Sequence, residues 1–137
     1  MAKYLHYINN QEEKLLRERS MQEKYKTGDV ILSEGEERHA LFLIRKAVVR
    51  VELEHPEFNI EITRLSPGEL FGEMSFLDGF TVTASVIAND EVDFEVVSAQ
   101  VIDQLMEQES GFFGRFYQSL AQILCTRLRD TTLRGFG

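Results

Sequence analysis

Between two glycines the chain reads Gly68-Glu69-Leu70-Phe71-Gly72-Glu73-Met74-Ser75-Phe76-Leu77-Asp78-Gly79. This order predicts a turn, a two-residue apolar run, a glycine, and one short helical turn closed by a second glycine. The first amides of that helical turn, at Glu73, Met74 and Ser75, lack intrahelical partners and point outward with the positive end of the dipole. They form a small anion cradle. Glu73 stands at its mouth, where it accepts hydrogen bonds from a neutral diol or repels an anion, according to its direction. On these residues alone, a tight strand-to-helix connection without a ligand is an equally good reading.

Other chemistry finds little support. His6, His39 and His55 lack the spacing of four residues that places two ligands on one helix face, and no paired cysteine ligands exist, so no metal site is expected. Ser33, Ser66, Ser75 and Cys125 sit in no nucleophile motif. The single cysteine cannot close an internal disulfide and agrees with a reducing compartment. The formal charge of −8 opposes unaided binding to nucleic acid or anionic lipid, whose phosphates require a basic patch. From Leu65 to Gly114 there is no Lys, Arg or His at all. The plentiful carboxylates read as a solvated acidic surface, and no enzyme is expected.

The elements that must position the cradle are legible in the apolar spacing. With 137 residues the chain fits one domain, and 43% hydrophobic with 28% charged residues is an ordinary globular composition. Leu5, Ile8, Leu15 and Leu16 predict an amphipathic helix from Ile8 to Ser20. Short strands follow: Val30 to Leu32, then two stretches within Ala40 to Glu54, where Val49, Val51 and Leu53 alternate with Arg50, Glu52 and Glu54. Ile60 and Ile62 alternate with Glu61 and Thr63. The same period of two runs through Val82, Ala84, Val86 and Ala88 and through Val92, Phe94 and Val96, with Asn89-Asp90 as the turn between them. This is the pattern of a compact antiparallel barrel or roll.

After Ser98, a suitable N-cap, the period becomes helical at Ile102, Leu105 and Met106. A long helix carries Phe112, Phe113, Phe116, Tyr117, Leu120, Ile123, Leu124 and Leu128 at steps of three and four, with Arg127, Arg129 and Arg134 complementing its dipole near the end and Gly135 able to stop it. Packing of Phe112 to Tyr117 on the roll and contact of Leu120 to Leu128 with a second copy are both expected, and they are compatible. No apolar run approaches the roughly 18 residues of a membrane span, and the first ten residues carry no leader pattern, so a cytoplasmic protein is expected.

The series Gly68 to Leu77, followed by Thr83-Ala84-Ser85-Val86-Ile87-Ala88, resembles the phosphate-binding cassette of cyclic-nucleotide-binding domains of the catabolite-activator and protein kinase A regulatory-subunit type. Tyr25 to Ile31, Glu34-Gly35-Glu36 and Leu41 to Ile44 resemble the opening strands of that family, and the likeness spans roughly residues 20 to 134. It implies an α+β, mainly β fold: an eight-stranded antiparallel β-roll with an N-terminal helix and two C-terminal helices. The chain is then one domain over 1–137, divided as 1–22 helical, 23–97 roll and 98–137 helices.

The resemblance also implies a cyclic AMP or cyclic GMP site formed by Phe71, Gly72, Glu73, Met74, Ser75, Val82 and Thr83. Amides at Gly72, Met74 and Ser75 hold the phosphate and Glu73 takes the ribose hydroxyl. The family's phosphate-binding arginine falls on Val82, or on Thr83 with a one-residue shift, and Val82 reads better as ordinary barrel packing beside Ala84 and Val86. A charge-assisted hydrogen bond contributes about 1.5 to 3 kcal/mol, so its loss weakens phosphate binding about 10- to 150-fold. Arg45, Lys46, Arg50 and Arg64 are the nearby cations that neighbouring strands could bring in. Ala47 stands where the family usually has glycine.

Two functions follow from the resemblance. One is a regulatory module that binds a cyclic nucleotide or related ligand weakly and passes the signal through its C-terminal helices. The other is a degenerate domain that binds no nucleotide and serves as a dimerisation or docking module. A transcription factor of the catabolite-activator type would continue into a helix-turn-helix where this sequence stops at Gly137, so no direct DNA contact is expected; the expected partners are a second copy of the chain and a protein partner.

Overall fold

Every residue from Ala40 to Ile44 is apolar, and alternate side chains of a strand point to opposite faces, so this stretch needs cover on both sides. The computed structural model, which describes residues 4–79 and 81–135, supplies it. Helix α1 (Asn10–Glu18) leads into strands β1 (Met21–Tyr25), β2 (Val30–Leu32), β3 (Ala40–Lys46), β4 (Val49–Glu54), β5 (Asn59–Leu65) and β6 (Leu70–Phe71). A short helix α2 (Met74–Asp78), strands β7 (Ser85–Ala88) and β8 (Val92–Ser98), and helices α3 (Ala99–Gln108) and α4 (Phe112–Gly135) complete the order. The strands form two four-stranded antiparallel sheets, β1-β8-β3-β6 and β2-β7-β4-β5. This is the eight-stranded roll with flanking helices that the sequence predicts.

Two cores meet at the β1-β8-β3-β6 sheet. Ala40, Phe42 and Ile44 face the roll interior with Phe71, Phe94 and Val96, where the Phe42 and Phe71 rings stack at 4.7 Å and Phe94 meets both edge-on. Leu41 and Leu43 face the other way, onto Ile102, Leu105, Phe112, Phe116 and Leu120 of the helices. The helices therefore sit directly on the sheet that ends in β6, the strand leading into the glycine-bounded turn.

Several expectations are corrected. Helix α1 begins at Asn10, not Ile8, because Asn9 caps it: its side chain accepts from the Glu12 amide at 2.8 Å while Glu12 Oε1 accepts from the Asn9 amide at 2.9 Å. Val49 is buried and Val51 packs against the roll interior as the alternation expects, but Leu53 is exposed beyond a bulge in which Ile62 of β5 has no partner opposite Val51 and Glu52. Ile60 and Ile62 lie exposed on β5, which is the edge of its sheet. Strand β7 starts at Ser85, so Val82 and Ala84 stand outside the ladder. The turn after β2 holds Val82 instead, the Gly35 amide donating to its carbonyl at 2.8 Å and its own amide to the Glu36 carbonyl at 2.9 Å. Ala47 takes φ 68°, the left-handed conformation that costs a side chain about 1 to 2 kcal/mol.

The Ser98 side chain caps α3, accepting from the Val101 amide at 3.3 Å. In α4, Phe112, Phe116 and Leu120 recur every four residues and are fully buried. Phe113 is exposed, so the aromatic stripe packs on one side only. Leu120 belongs to the chain's own core, which removes it from the expected contact with a second copy, whereas Leu128 is 68% exposed. The Arg134 side chain lies outside the described residues.

Candidate ligand-binding site

The turn after β6 exists because residue 72 is glycine. Its φ is +91°, and a Cβ there would collide with the carbonyl oxygen of Ala40 on β3. Leu70 and Phe71, both buried, fix the strand end. The chain then turns into α2, where the Phe76 amide donates to the Glu73 carbonyl at 3.1 Å.

This turn walls a cavity of about 200 Å³. Phe71, Gly72, Glu73, Met74, Val82 and Thr83 all line it, while Leu32, Val51, Leu65 and Val86 make the facing wall apolar. Six of the seven residues expected to form a site thus converge on one hollow. Ser75 lies in α2, and its side chain is outside the described residues. Val82 is half-buried, packs against the roll interior and also faces the hollow, so its packing role and its place in the site coincide. Across the cavity mouth Thr83 Oγ1 donates to Met74 Sδ at 3.9 Å, a weak contact that ties the two rims.

Glu73 is 6% exposed and is the one carboxylate among the described lining residues. Burial of a charge requires a partner. The partner is Arg127 of α4, whose Nη1 donates to Glu73 Oε1 at 2.8 Å and whose Nη2 donates to the carbonyl of Leu70. Arg127 lines the cavity, as does Arg38 from the connection between β2 and β3. Arg38 pairs with Glu23 at 2.9 Å and lies 4.8 Å from the Phe42 ring centre. Burial works to lower the Arg38 pKa, but the Glu23 carboxylate and the bond to Tyr25 outweigh it and leave it raised.

The cations named from sequence go elsewhere. Arg45 pairs with Glu95, Arg50 with Glu52 and Asn89, and Arg64 with Glu61; Lys46 is exposed, and none of the four lines this cavity. The stretch without basic residues is real, yet the fold brings positive charge to the site from before and after it. Arg127 is 54 positions from Glu73, and no local spacing announces such a pair. Among the described residues no group of three or more His, Cys, Asp or Glu could hold a metal ion, and no helix is long and apolar enough to cross a membrane.

Comparison with known proteins places this geometry. The cyclic GMP-binding protein D of Dictyostelium discoideum is 33% identical over 78 residues, covering 56% of this chain and 6% of that protein. The chain therefore spans a small part of that relative's length. The crystal structure of a cyclic nucleotide-binding domain from Methylobacillus flagellatus superimposes with a TM-score of 0.85 at 27% identity, covering 97% of this chain and 75% of that one. The Thermus thermophilus catabolite activator protein superimposes with a TM-score of 0.78 at 27% identity, covering 95% and 60%. The family model described as the cyclic nucleotide-binding domain matches residues 22–109, and with the roll, the glycine-bounded turn and the cavity beneath it in place, the chain belongs to the cyclic nucleotide-binding domain family.

Proposed function

We propose that the chain is a regulatory module that binds cyclic AMP, cyclic GMP or a related small ligand weakly through Phe71, Gly72, Glu73, Met74, Ser75, Val82 and Thr83, and passes occupancy to its C-terminal helices. The observation that carries this reading is the convergence of Glu73 and the turn at Gly72 with Val82 and Thr83 on one cavity. Its charge arrangement sets the expected strength. Glu73 suits a ribose hydroxyl, Val82 offers a phosphate nothing, and the two arginines that line the cavity, Arg38 and Arg127, are already paired with Glu23 and Glu73. Residues 1–137 act as one unit in this reading, in the cytoplasm, without catalysis or metal. A second copy is the partner through the exposed side of α4 around Leu128, which is 68% exposed.

One observation favours the second reading, a docking module without nucleotide: Glu73 already has a partner in Arg127. Calorimetry with cyclic AMP and cyclic GMP on the wild type and on Val82→Arg separates the two. The regulatory reading expects measurable heat with the wild type and binding about 10- to 150-fold tighter with Val82→Arg, the return of one charge-assisted bond. No heat and no thermal shift at millimolar nucleotide with the wild type would remove it. Binding gained only in Val82→Arg would assign the chain to the docking reading with an intact scaffold.

A further inference from the structure

The half of α4 beyond Leu120 has little burial to hold it. Ile123 and Leu124 are half-buried, and Ala121, Cys125, Thr126, Leu128, Arg129, Asp130 and Thr131 are exposed. Ile123 packs against the core beneath the helices, and Arg127 ties this half to β6 and the turn after it. Its guanidinium holds two points, the Leu70 carbonyl at the start of the two-residue strand β6 and the Glu73 carboxylate before α2. Glu73 is also the one carboxylate that the described cavity wall presents to a ligand hydroxyl. The acceptor that would greet a diol is therefore the acceptor that holds the helix.

We infer that Arg127 is an internal competitor at the binding site: its guanidinium occupies Glu73 in the ligand-free chain, a ligand diol displaces it, and the distal half of α4 is released. This rests on the proposed ligand site. The exchange is chemically matched. Glu73 is too buried to stand uncompensated, so Arg127 leaves only when other donors arrive. Arg127, 27% exposed, regains water when it swings away. A ligand that binds better to the released state than to the clamped one shifts the helix population by that difference in affinity.

Arg127→Gln tests the inference, because glutamine and arginine have nearly equal helix propensity and the change removes the charged clamp while leaving the helix intact. Amide hydrogen exchange over residues 121–131 of the ligand-free protein should be at least about 5-fold faster in the variant, the lower end of ordinary coupling between sites. Arg129→Gln, an exposed neighbour, should leave it unchanged. By calorimetry, cyclic AMP or cyclic GMP should bind Arg127→Gln more tightly than the wild type. Unchanged exchange in Arg127→Gln overturns the inference whatever the ligand does, and weaker nucleotide binding overturns it by making Arg127 a ligand contact rather than a competitor. If neither protein binds nucleotide, the proposed function fails, while exchange still decides whether the clamp holds the helix.

Discussion

Arg115 and Arg127 both reach from α4 to a glutamate, and the surroundings of the two pairs differ sharply. Glu12, the partner of Arg115, is completely buried, and it also accepts from the Asn9 amide that starts α1. Around it the first half of α4 buries Phe112, Phe116 and Leu120 in full. Glu73, the partner of Arg127, stands in a cavity wall, and the helix around that arginine is half-buried at best. The same pairing thus locks one half of the helix into the scaffold and merely holds the other half over a site. A helix can pass information only if one part is fixed and another has two positions close in free energy.

The largest effect should come from breaking the deep pair. Arg115→Met takes the cation away from a carboxylate that is completely buried, so the charge left behind should destabilise the fold. Urea unfolding should show that loss as a lower midpoint with an unchanged slope. The hydrogen bond to Glu12 heads the causes that raise the Arg115 pKa, so the guanidinium stays charged and the loss should not depend on pH across the neutral range. A midpoint within experimental error of the wild type would erase the distinction between the two pairs.

Leu120→Ala probes the boundary between the halves. The side chain is fully buried against the β1-β8-β3-β6 sheet, so the substitution should destabilise by about 2 to 5 kcal/mol through lost burial and the cavity left behind. The effect should appear in equilibrium unfolding and in hydrogen exchange of the first half of the helix. A loss below about 0.5 kcal/mol, the size usual for surface positions, would show that the fixed half ends before residue 120.

How much of this division could be read from the residues depends on the range of the interactions. Strand β3 and the turn at Gly72 are legible because their causes are local: five consecutive apolar residues demand two covered faces, and a glycine before a short helical turn marks the left-handed bend. Phe112, Phe116 and Leu120 are legible by their spacing of four. The bulge at Val51 and Glu52 is not, since an alternating pattern looks the same with or without an extra residue in the partner's register. Val82 reads as strand because valine and alternation favour strand, while the turn at Gly35 and Glu36 captures its backbone first. The two arginines at the cavity are the deepest omission. Arg38 and Arg127 come from either side of the region without basic residues, and only the folding of α4 back over β6 puts one of them on Glu73.

The smallest effect on stability should come from Leu128→Ser, and for that reason it sharpens the comparison most cleanly. Leu128 is 68% exposed and contributes to neither core, so removing it should change unfolding by no more than about 0.5 kcal/mol at dilute concentration. If the outer side of α4 meets a second copy, the same substitution should shift the association equilibrium seen by sedimentation toward the monomer while leaving nucleotide binding to the isolated chain unaltered. A large loss of stability at low concentration would mean that the distal half is packed like the proximal one. In that case Arg127 would hold nothing that the apolar contacts did not already hold, and the contrast between the two arginine pairs would vanish with it.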